Sequence, residues 1–237
     1  MRIWEADLAI DDEFYEPGRF VTLPACEIGF AIGHKNVYFP ATEVAHPAPD
    51  SSSVEALFAS LERREALVIP HHTNVHSESS RRTFWTEHDF TTHDPVFERL
   101  IEMSQNRGSF ECETVGGNVS FGELGSSVWS ALQHGMKVGF VGGTDTHRGL
   151  PGEWRSPLAG LDPDESPSVG GLTAVIASGL TRESIWNALW NRCCYATQGQ
   201  RTLLNFALDE YPLGSVISAA AVERFAHRSK NRDTGFA

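Results

Sequence analysis

The chain has 237 residues, of which 41% are apolar and 21% are charged, and its net charge is −12. This composition is typical of a globular protein with a sizeable core, and the acidic balance argues against non-specific nucleic-acid binding, which needs Lys and Arg to neutralise phosphates. Residues 1–14 lack the apolar segment of a secretory leader, and no apolar stretch is long enough to span a bilayer. The four cysteines show no CxxC spacing, so we expect them to be reduced and the protein to be cytoplasmic, without membrane contact.

Short apolar runs alternate with amphipathic segments along the chain. The apolar runs predict strands over 19–25, 36–39, 66–70, 99–104, 137–143 and 171–177. The amphipathic segments predict helices over 53–65, 127–134 and 182–192, with capping signals such as Ser52 with Glu55, Gly135 and Thr181 at their ends. This alternation predicts an α/β domain with a largely parallel sheet over residues 1–218, followed by a tail over 219–237. The long Pro- and Gly-rich segment 148–171 is interpreted as a flap over a site.

Polar residues, most of them of the kinds that bind metals, follow five successive predicted strands. In parallel folds the loops that leave the carboxyl ends of strands meet at one rim, so we expect these side chains to converge. They are Glu27, His34, His71, His72, His76, Asn106, Arg107, Asp145 and His147, with Glu102 inside the fourth strand. Asp145 and His147 are separated by one residue, and alternate residues of an extended chain face the same way.

Imidazoles and carboxylates without paired thiolates are typical ligands of Zn, Mn or Fe in hydrolytic centres. Several alternatives stay open from the residues alone. Glu27 fits either a ligand or a surface acid, and His34 fits either a site residue or a loop cap. Because neighbours on a strand face opposite ways, at most one of His71 and His72 is expected to be a direct ligand. His76 is interpreted as a loop residue, Cys26 as a core residue, and the remaining histidines as ordinary ones: His46, His88, His93, His134 and His227.

Five segments of the chain resemble a known family when they are taken together and in order. They are "CEIGFAIGHKNVYF", "VIPHHT", "IEMSQNRGSFE", "GFVGGTDTH" and "GLTAVIASGLTRESIWNALWNRCCYATQGQR". Over about residues 14–215 they resemble the DUF3604 family, which belongs to the PHP (polymerase and histidinol phosphatase) superfamily of metal-dependent phosphoesterases. The resemblance implies a distorted (β/α)7 barrel with two or three metals at the strand ends. It also implies that Glu27, one of His71 and His72, Asp145 and His147 are ligands, with His34 lining the site.

The chain departs from the family pattern in two places. PHP proteins open with an HxH motif on the first barrel strand, and this sequence contains no HxH. Arg107 stands where the family usually has a ligand histidine, and arginine cannot bind a metal because it stays protonated. We therefore expect an incomplete barrel that lacks its first strand or strands, with fewer metals than a complete site. A barrel open in this way exposes sheet edges, and a homo-oligomer could cover them.

Three functional classes follow from these observations. The first is a metal-dependent phosphoesterase acting on a small phosphorylated substrate. In this class the metal is held by Glu27, by His71 or His72, and by Asp145 and His147. Asp145 also takes part in catalysis, together with His34 and Arg107. His34 orients substrate or a ligand, and Arg107 contacts an anionic group. The second is an inactive PHP-like barrel that binds an anion or a protein partner. The third is an amidohydrolase-type enzyme acting on C–N bonds. No GxSxG, P-loop or dinucleotide fingerprint supports a further class.

Overall fold

A computed structural model of the protein describes most of the chain. The described residues are 2–30, 32–47, 53–63, 65–74, 88–106, 108–112, 125–146, 149, 152–153, 170–220 and 222. They divide into two compact units, Met1–Leu203 and Leu204–Ala237.

Four α-helices and ten strands are formed in these residues. The helices are α1 (Arg2–Phe14), α2 (Val54–Ser60), α3 (Val128–Gln133) and α4 (Arg182–Trp190). The strands are β1 (Ala25–Phe30), β2 (Gly33–Tyr38), β3 (Leu67–His71), β4 (Leu100–Gln105), β5 (Gly108–Ser109), β6 (Gly139–Gly142), β7 (Leu172–Val175), β8 (Cys194–Thr197), β9 (Ala207–Leu208) and β10 (Tyr211–Pro212).

The prediction of a parallel sheet and of a (β/α)7 barrel is wrong. The described strands form separate small sheets in the orders β1-β2-β3, β5-β4-β6, β7-β8 and β10-β9, and they do not close into a barrel. Among the strands of the described residues, only the pair β4 and β6 is parallel, and the other pairs are antiparallel. Parallel neighbours need a crossover connection, usually a helix, and β1 and β2 have none between them. They therefore pair as antiparallel neighbours, and β3 pairs antiparallel with β2.

The predicted strand over 19–25 is also displaced. All but the last of its residues precede β1, which begins at Ala25, directly after Pro24. Proline has no N–H to donate to a ladder, which confines it to strand ends and edges; Pro24 instead accepts a bond from the Phe39 N–H with its carbonyl, at 2.9 Å. Glu27 therefore lies inside a strand rather than after one. The other predicted strands and helices overlap observed elements.

Helix α1 was not expected from the sequence, although its apolar spacing explains it. Trp4 and Leu8, four residues apart, lie on one face of the helix and pack into a hydrophobic cluster with Phe39, Val54 and Leu57. The Trp4 indole N–H donates to the carbonyl of Val44 at 3.1 Å. On α2 and α4, Ser53 and Thr181 accept a bond from the backbone N–H three residues later, as N-caps do.

The core of the first unit consists of three hydrophobic clusters. One lies under α1 and the β1-β2-β3 sheet, and Cys26, which is partly buried, packs against it. The second joins β3, β4 and β6 to Trp186 and Trp190 of α4. The third lies between β4 and α3. All four cysteines are free.

The second unit contains the β9–β10 hairpin, which pairs Leu208 with Tyr211 and Ala207 with Pro212. Among the helices of the described residues, none combines the length and apolarity that crossing a bilayer would require.

Candidate metal centre

The β1-β2-β3 sheet brings the first candidate residues to one face. Glu27 pairs with Asn36 and Gly29 with His34 across β1 and β2, and His34 pairs with His71 across β2 and β3. Because directly opposed residues and residues two apart share a face, all of these point to the same side. The His34 ring contacts Gly29, where a Cβ would lie only 3.2 Å from Nε2, and its Nδ1 lies 2.6 Å from Glu27 Oε1.

Both histidines of the His71–His72 pair face Glu27. The Nε2 atoms of His71 and His72 lie 3.8 Å and 3.7 Å from Glu27 Oε1. The expectation that only one of them could face inward assumed that the strand continues, whereas β3 ends at His71 and His72 has a φ of 38°. This left-handed conformation redirects the chain, so the alternation of a strand no longer applies.

Glu102, on β4, orients this pair of histidines. One of its oxygens, Oε2, lies 2.8 Å from His71 Nδ1 and accepts the backbone N–H of His72 at 2.7 Å. The carboxylate is buried, with 6% of its side chain exposed. Holding Nδ1 of a histidine in this way fixes the ring and directs its Nε2 atom, as carboxylates behind metal ligands do.

Asp145 reaches the same place from the end of β6. Its Oδ2 atom lies 3.6 Å from His71 Nε2 and accepts the side-chain N–H of Gln105 at 2.6 Å. Asn106 donates to the Asp145 carbonyl at 2.8 Å. Asp145 also has a left-handed backbone, with a φ of 46°. Two amide side chains of the β4 end therefore fix the position of this carboxylate.

The donor atoms of Glu27, His71 and His72 fit a divalent metal ion. All three lie within 4.8 Å of one another. Two ligands of a tetrahedral ion with bonds of about 2.1 Å lie about 3.4 Å apart, close to the observed separations of 3.7 and 3.8 Å. One carboxylate with two imidazoles is a donor set that Zn, Mn and Fe accept. The two histidines are buried, whereas 40% of the Glu27 side chain is exposed, so the centre opens to solvent at Glu27.

The environment of the centre keeps Glu27 and His72 in the protonation states that bind a metal ion. The hydrogen bond with His34, together with the nearby imidazoles of His72 and His71, holds the pKa of Glu27 well below its ordinary value, so the carboxylate is ionised. Burial lowers the pKa of His72 to about 4, so this imidazole is neutral near pH 7. Metal binding requires deprotonated ligands, and these two residues already meet that requirement.

Three candidates lie outside the described residues, namely His76, Arg107 and His147. The structure brings together Glu27, His34, His71, His72 and Asp145, which come from four different strands or strand ends.

The sequence did not assign a role to three residues at or near the centre. Glu102 and Gln105 lie within β4, where the rule of strand ends does not point to them. His88 was interpreted as ordinary, yet it is buried and packs on Gly33, and neither of its ring nitrogens has a hydrogen-bond partner within the described part of the chain. Burial, with Lys35 nearby, keeps the pKa of His88 well below its ordinary value. No local pattern around His88 predicts its burial.

Acid is expected to destabilise the metal-free protein through His72. Its pKa is about 4 in the folded state and about 6.5 in an unfolded chain. Between these values the unfolded chain binds a proton that the folded protein does not. The free energy of unfolding should therefore be fully retained above about pH 6.5 and fall by up to about 1.4 kcal/mol per pH unit towards pH 4.

Urea unfolding of the metal-free protein at a series of pH values would measure this slope. The variant His72→Gln should show a shallower slope than the native chain, and His134→Gln, at an exposed position after α3, is the matched control. An unchanged slope in His72→Gln would contradict the assignment.

Comparisons with known proteins find one family model and several relatives that match part of the chain. The family described as "Protein of unknown function (DUF3604)" matches residues 160–223. An uncharacterized protein of Chlamydia trachomatis serovar D is 36% identical over 141 residues, which are 56% of this chain and 22% of that protein. Uncharacterized proteins of Chlamydia pneumoniae and Chlamydia muridarum are 35% and 34% identical, again over 56% of this chain and 22% and 21% of their own length. The matched region thus spans about a fifth of these relatives. No solved structure matches the chain.

Proposed function

We propose that this chain, which matches DUF3604 over residues 160–223, carries the centre of a metal-dependent hydrolase that acts on phosphoesters. The observation that carries the proposal is the orientation of His71. Its Nδ1 atom is held by Glu102, and its Nε2 atom lies between the carboxylates of Glu27 and Asp145, at 3.8 Å and 3.6 Å. A histidine backed by a carboxylate is typical of metal ligands.

The residues of the centre have distinct parts in this proposal. Glu27, His71, His72 and Asp145 would hold the ion, and His147 is proposed as a further ligand from the sequence. When bound, a divalent ion supplies acidified water and polarises a phosphoryl oxygen. His34 orients Glu27 through its 2.6 Å contact, and Gln105 orients Asp145. Arg107 is proposed to contact the anionic group of the substrate.

The choice of phosphoesters rests on the resemblance to the PHP superfamily, whose members are metal-dependent phosphoesterases. We propose that this chain is related to that superfamily in its site, but not that it has the barrel fold, because the described strands form separate small sheets. The donor set itself would also suit hydrolysis of C–N bonds, and a centre with Arg107 in place of a histidine could bind an anion or a partner without turnover. These two readings are outcomes of the following experiment.

The purified chain should be supplied with Zn, Mn or Fe(II), freed of excess metal, and examined by elemental analysis and by hydrolysis of 4-nitrophenyl phosphate and bis(4-nitrophenyl) phosphate. We expect stoichiometric metal and turnover that a chelator abolishes and added metal restores. The variant Asp145→Asn should lose most of the turnover, whereas Asp7→Asn, on the exposed face of α1, should retain it. Metal without turnover would favour the inactive binding module, hydrolysis of amide substrates alone would favour the amidohydrolase reading, and absence of bound metal would refute the proposal.

A further inference from the structure

A cavity of about 440 Å³ adjoins the candidate metal centre. Part of its lining is formed by Glu27, His71, Glu102 and Asp145, the acids and the imidazole described above, and Ile69 and Leu67 line it farther along β3 from His71. Its remaining walls are mostly apolar, and we call this part the apolar chamber. It is formed chiefly by Leu23, Leu67, Ile69, Val141, Val175 and Leu189.

The size and composition of the cavity are those of a small-molecule site. Such sites have volumes of about 300–1,000 Å³, mostly apolar walls and a few polar groups that fix the orientation of the ligand. Here all the carboxylates that line the cavity belong to the metal centre. A ligand that enters the chamber therefore places one part among apolar side chains and another part against the metal ligands.

The walls of the chamber are held in place by specific contacts. Thr173 of β7 accepts the N–H of Gly142 at 3.0 Å and donates to its carbonyl at 2.8 Å, so β6 and β7 stay together at the chamber wall. A Cβ at Gly143 would lie 2.9 Å from Glu102 Oε1, so glycine lets the end of β6 approach this carboxylate. Burial raises the pKa of Tyr38, which also lines the cavity, to about 12, so its phenol remains a neutral donor.

We propose that the centre selects substrates with an apolar aryl or alkyl group, which fills the apolar chamber while the charged group of the substrate lies at the metal ligands. This inference rests on the proposed function and names its substrate class. Hydroxyl-rich groups are disfavoured because they would exchange hydrogen bonds with water for contacts with Ile69, Val141 and Val175. Each apolar carbon that leaves water adds to the affinity.

The test compares ligands that differ only in the group meant for the chamber. With metal-loaded protein, we expect kcat/KM for 1-naphthylmethyl phosphate to exceed that for glycerol 2-phosphate by about tenfold or more, since several apolar carbons become buried. Both esters release an alkoxide, so the leaving groups do not by themselves produce this difference. Calorimetry with 1-naphthylmethylphosphonate, which cannot be hydrolysed as an ester, measures binding without turnover. Removal of the metal, or replacement of the phosphonate by 1-naphthalenemethanol, should weaken binding by a similar factor.

The variant Val175→Phe fills the chamber and should remove the preference for the naphthyl ligands over glycerol 2-phosphate. Ile176→Phe is the matched control, because its side chain is the next along the chain and is 51% exposed. If Val175→Phe does not fold, Leu189→Phe fills the chamber from α4.

The outcomes separate this inference from the proposed function. Hydrolysis of both esters at equal efficiency, or equal binding of the uncharged alcohol and the phosphonate, would overturn the inference and leave the hydrolase intact. Binding of the phosphonate that Val175→Phe abolishes, without hydrolysis of any ester, would support the chamber and refute the phosphoesterase. Absence of phosphonate binding to the native chain would overturn the inference.

Discussion

The variant Glu27→Gln is expected to bind Zn or Mn about a hundredfold or more weakly than the native chain, and to lose metal-dependent turnover to the same extent. Loss of an outer partner of a metal ligand alone costs about 10- to 100-fold in affinity or activity, and Glu27 is proposed as a direct ligand. Glutamine keeps the shape of the side chain and an oxygen that His34 can contact, so the change removes charge rather than structure.

Competition with a chromophoric chelator measures the affinity, and elemental analysis measures the occupancy after dialysis. Glu55→Gln is the matched control, because Glu55 is an exposed acid in the first turn of α2, away from the centre. It should bind metal as the native chain does. Equal affinity in Glu27→Gln and the native chain would remove Glu27 from the ligand set.

The variant Lys35→Met is expected to lower the free energy of unfolding by about 3–5 kcal/mol, the usual cost of removing one partner of a buried ion pair. Lys35 and Glu98 form a direct ion pair, and 2% and 1% of their side chains are exposed. Burial would raise the pKa of Glu98, but Lys35 and His93 outweigh this effect and hold the pKa below its ordinary value. Without Lys35, a buried carboxylate keeps, among the described residues, the contacts of His93 and the Asp94 N–H.

Urea unfolding at neutral pH measures this loss. The double variant with Lys35→Met and Glu98→Leu should recover most of it, because no unpaired charge remains buried. Arg19→Met is the matched control: Arg19 pairs with Glu16 at 2.7 Å, but the two side chains are 79% and 57% exposed, and exposed pairs contribute about 0–1 kcal/mol. A Lys35→Met variant as stable as Arg19→Met would show that the buried pair contributes little.

The sequence predicted the positions of many elements better than their connections. Apolar runs located β3, β4, β6 and β7 to within a few residues, because buried strands need continuous apolar side chains. They did not reveal which strands are neighbours. An apolar run has the same composition whether it pairs in parallel or antiparallel, and the antiparallel pairing of β1, β2 and β3 depends on contacts between residues far apart in the chain.

The sequence predicts part of the candidate site through the rule that functional residues follow strands, and the structure does not obey this rule at Glu27. Glu27 was selected as a residue that follows a strand, whereas it lies inside β1 and reaches the histidines through the register with β2. The alternation of side chains along a strand predicts that only one of His71 and His72 faces inward, but this alternation stops where β3 ends, at His71. The sequence assigns Glu102 no role, since its contacts with His71 and the His72 N–H depend on how β4 packs beside β3.

The backbone at His72 and Asp145 has a consequence for how this chain could change. Both residues have positive φ, 38° and 46°. Glycine adopts this backbone region without strain, whereas other residues adopt it at a cost of about 1–3 kcal/mol. Selection for thermal robustness alone would favour glycine at both positions and would discard an imidazole and a carboxylate in doing so. A related protein that uses these two side chains should keep them despite this cost. A related protein that does not use them should be able to carry glycine at both positions.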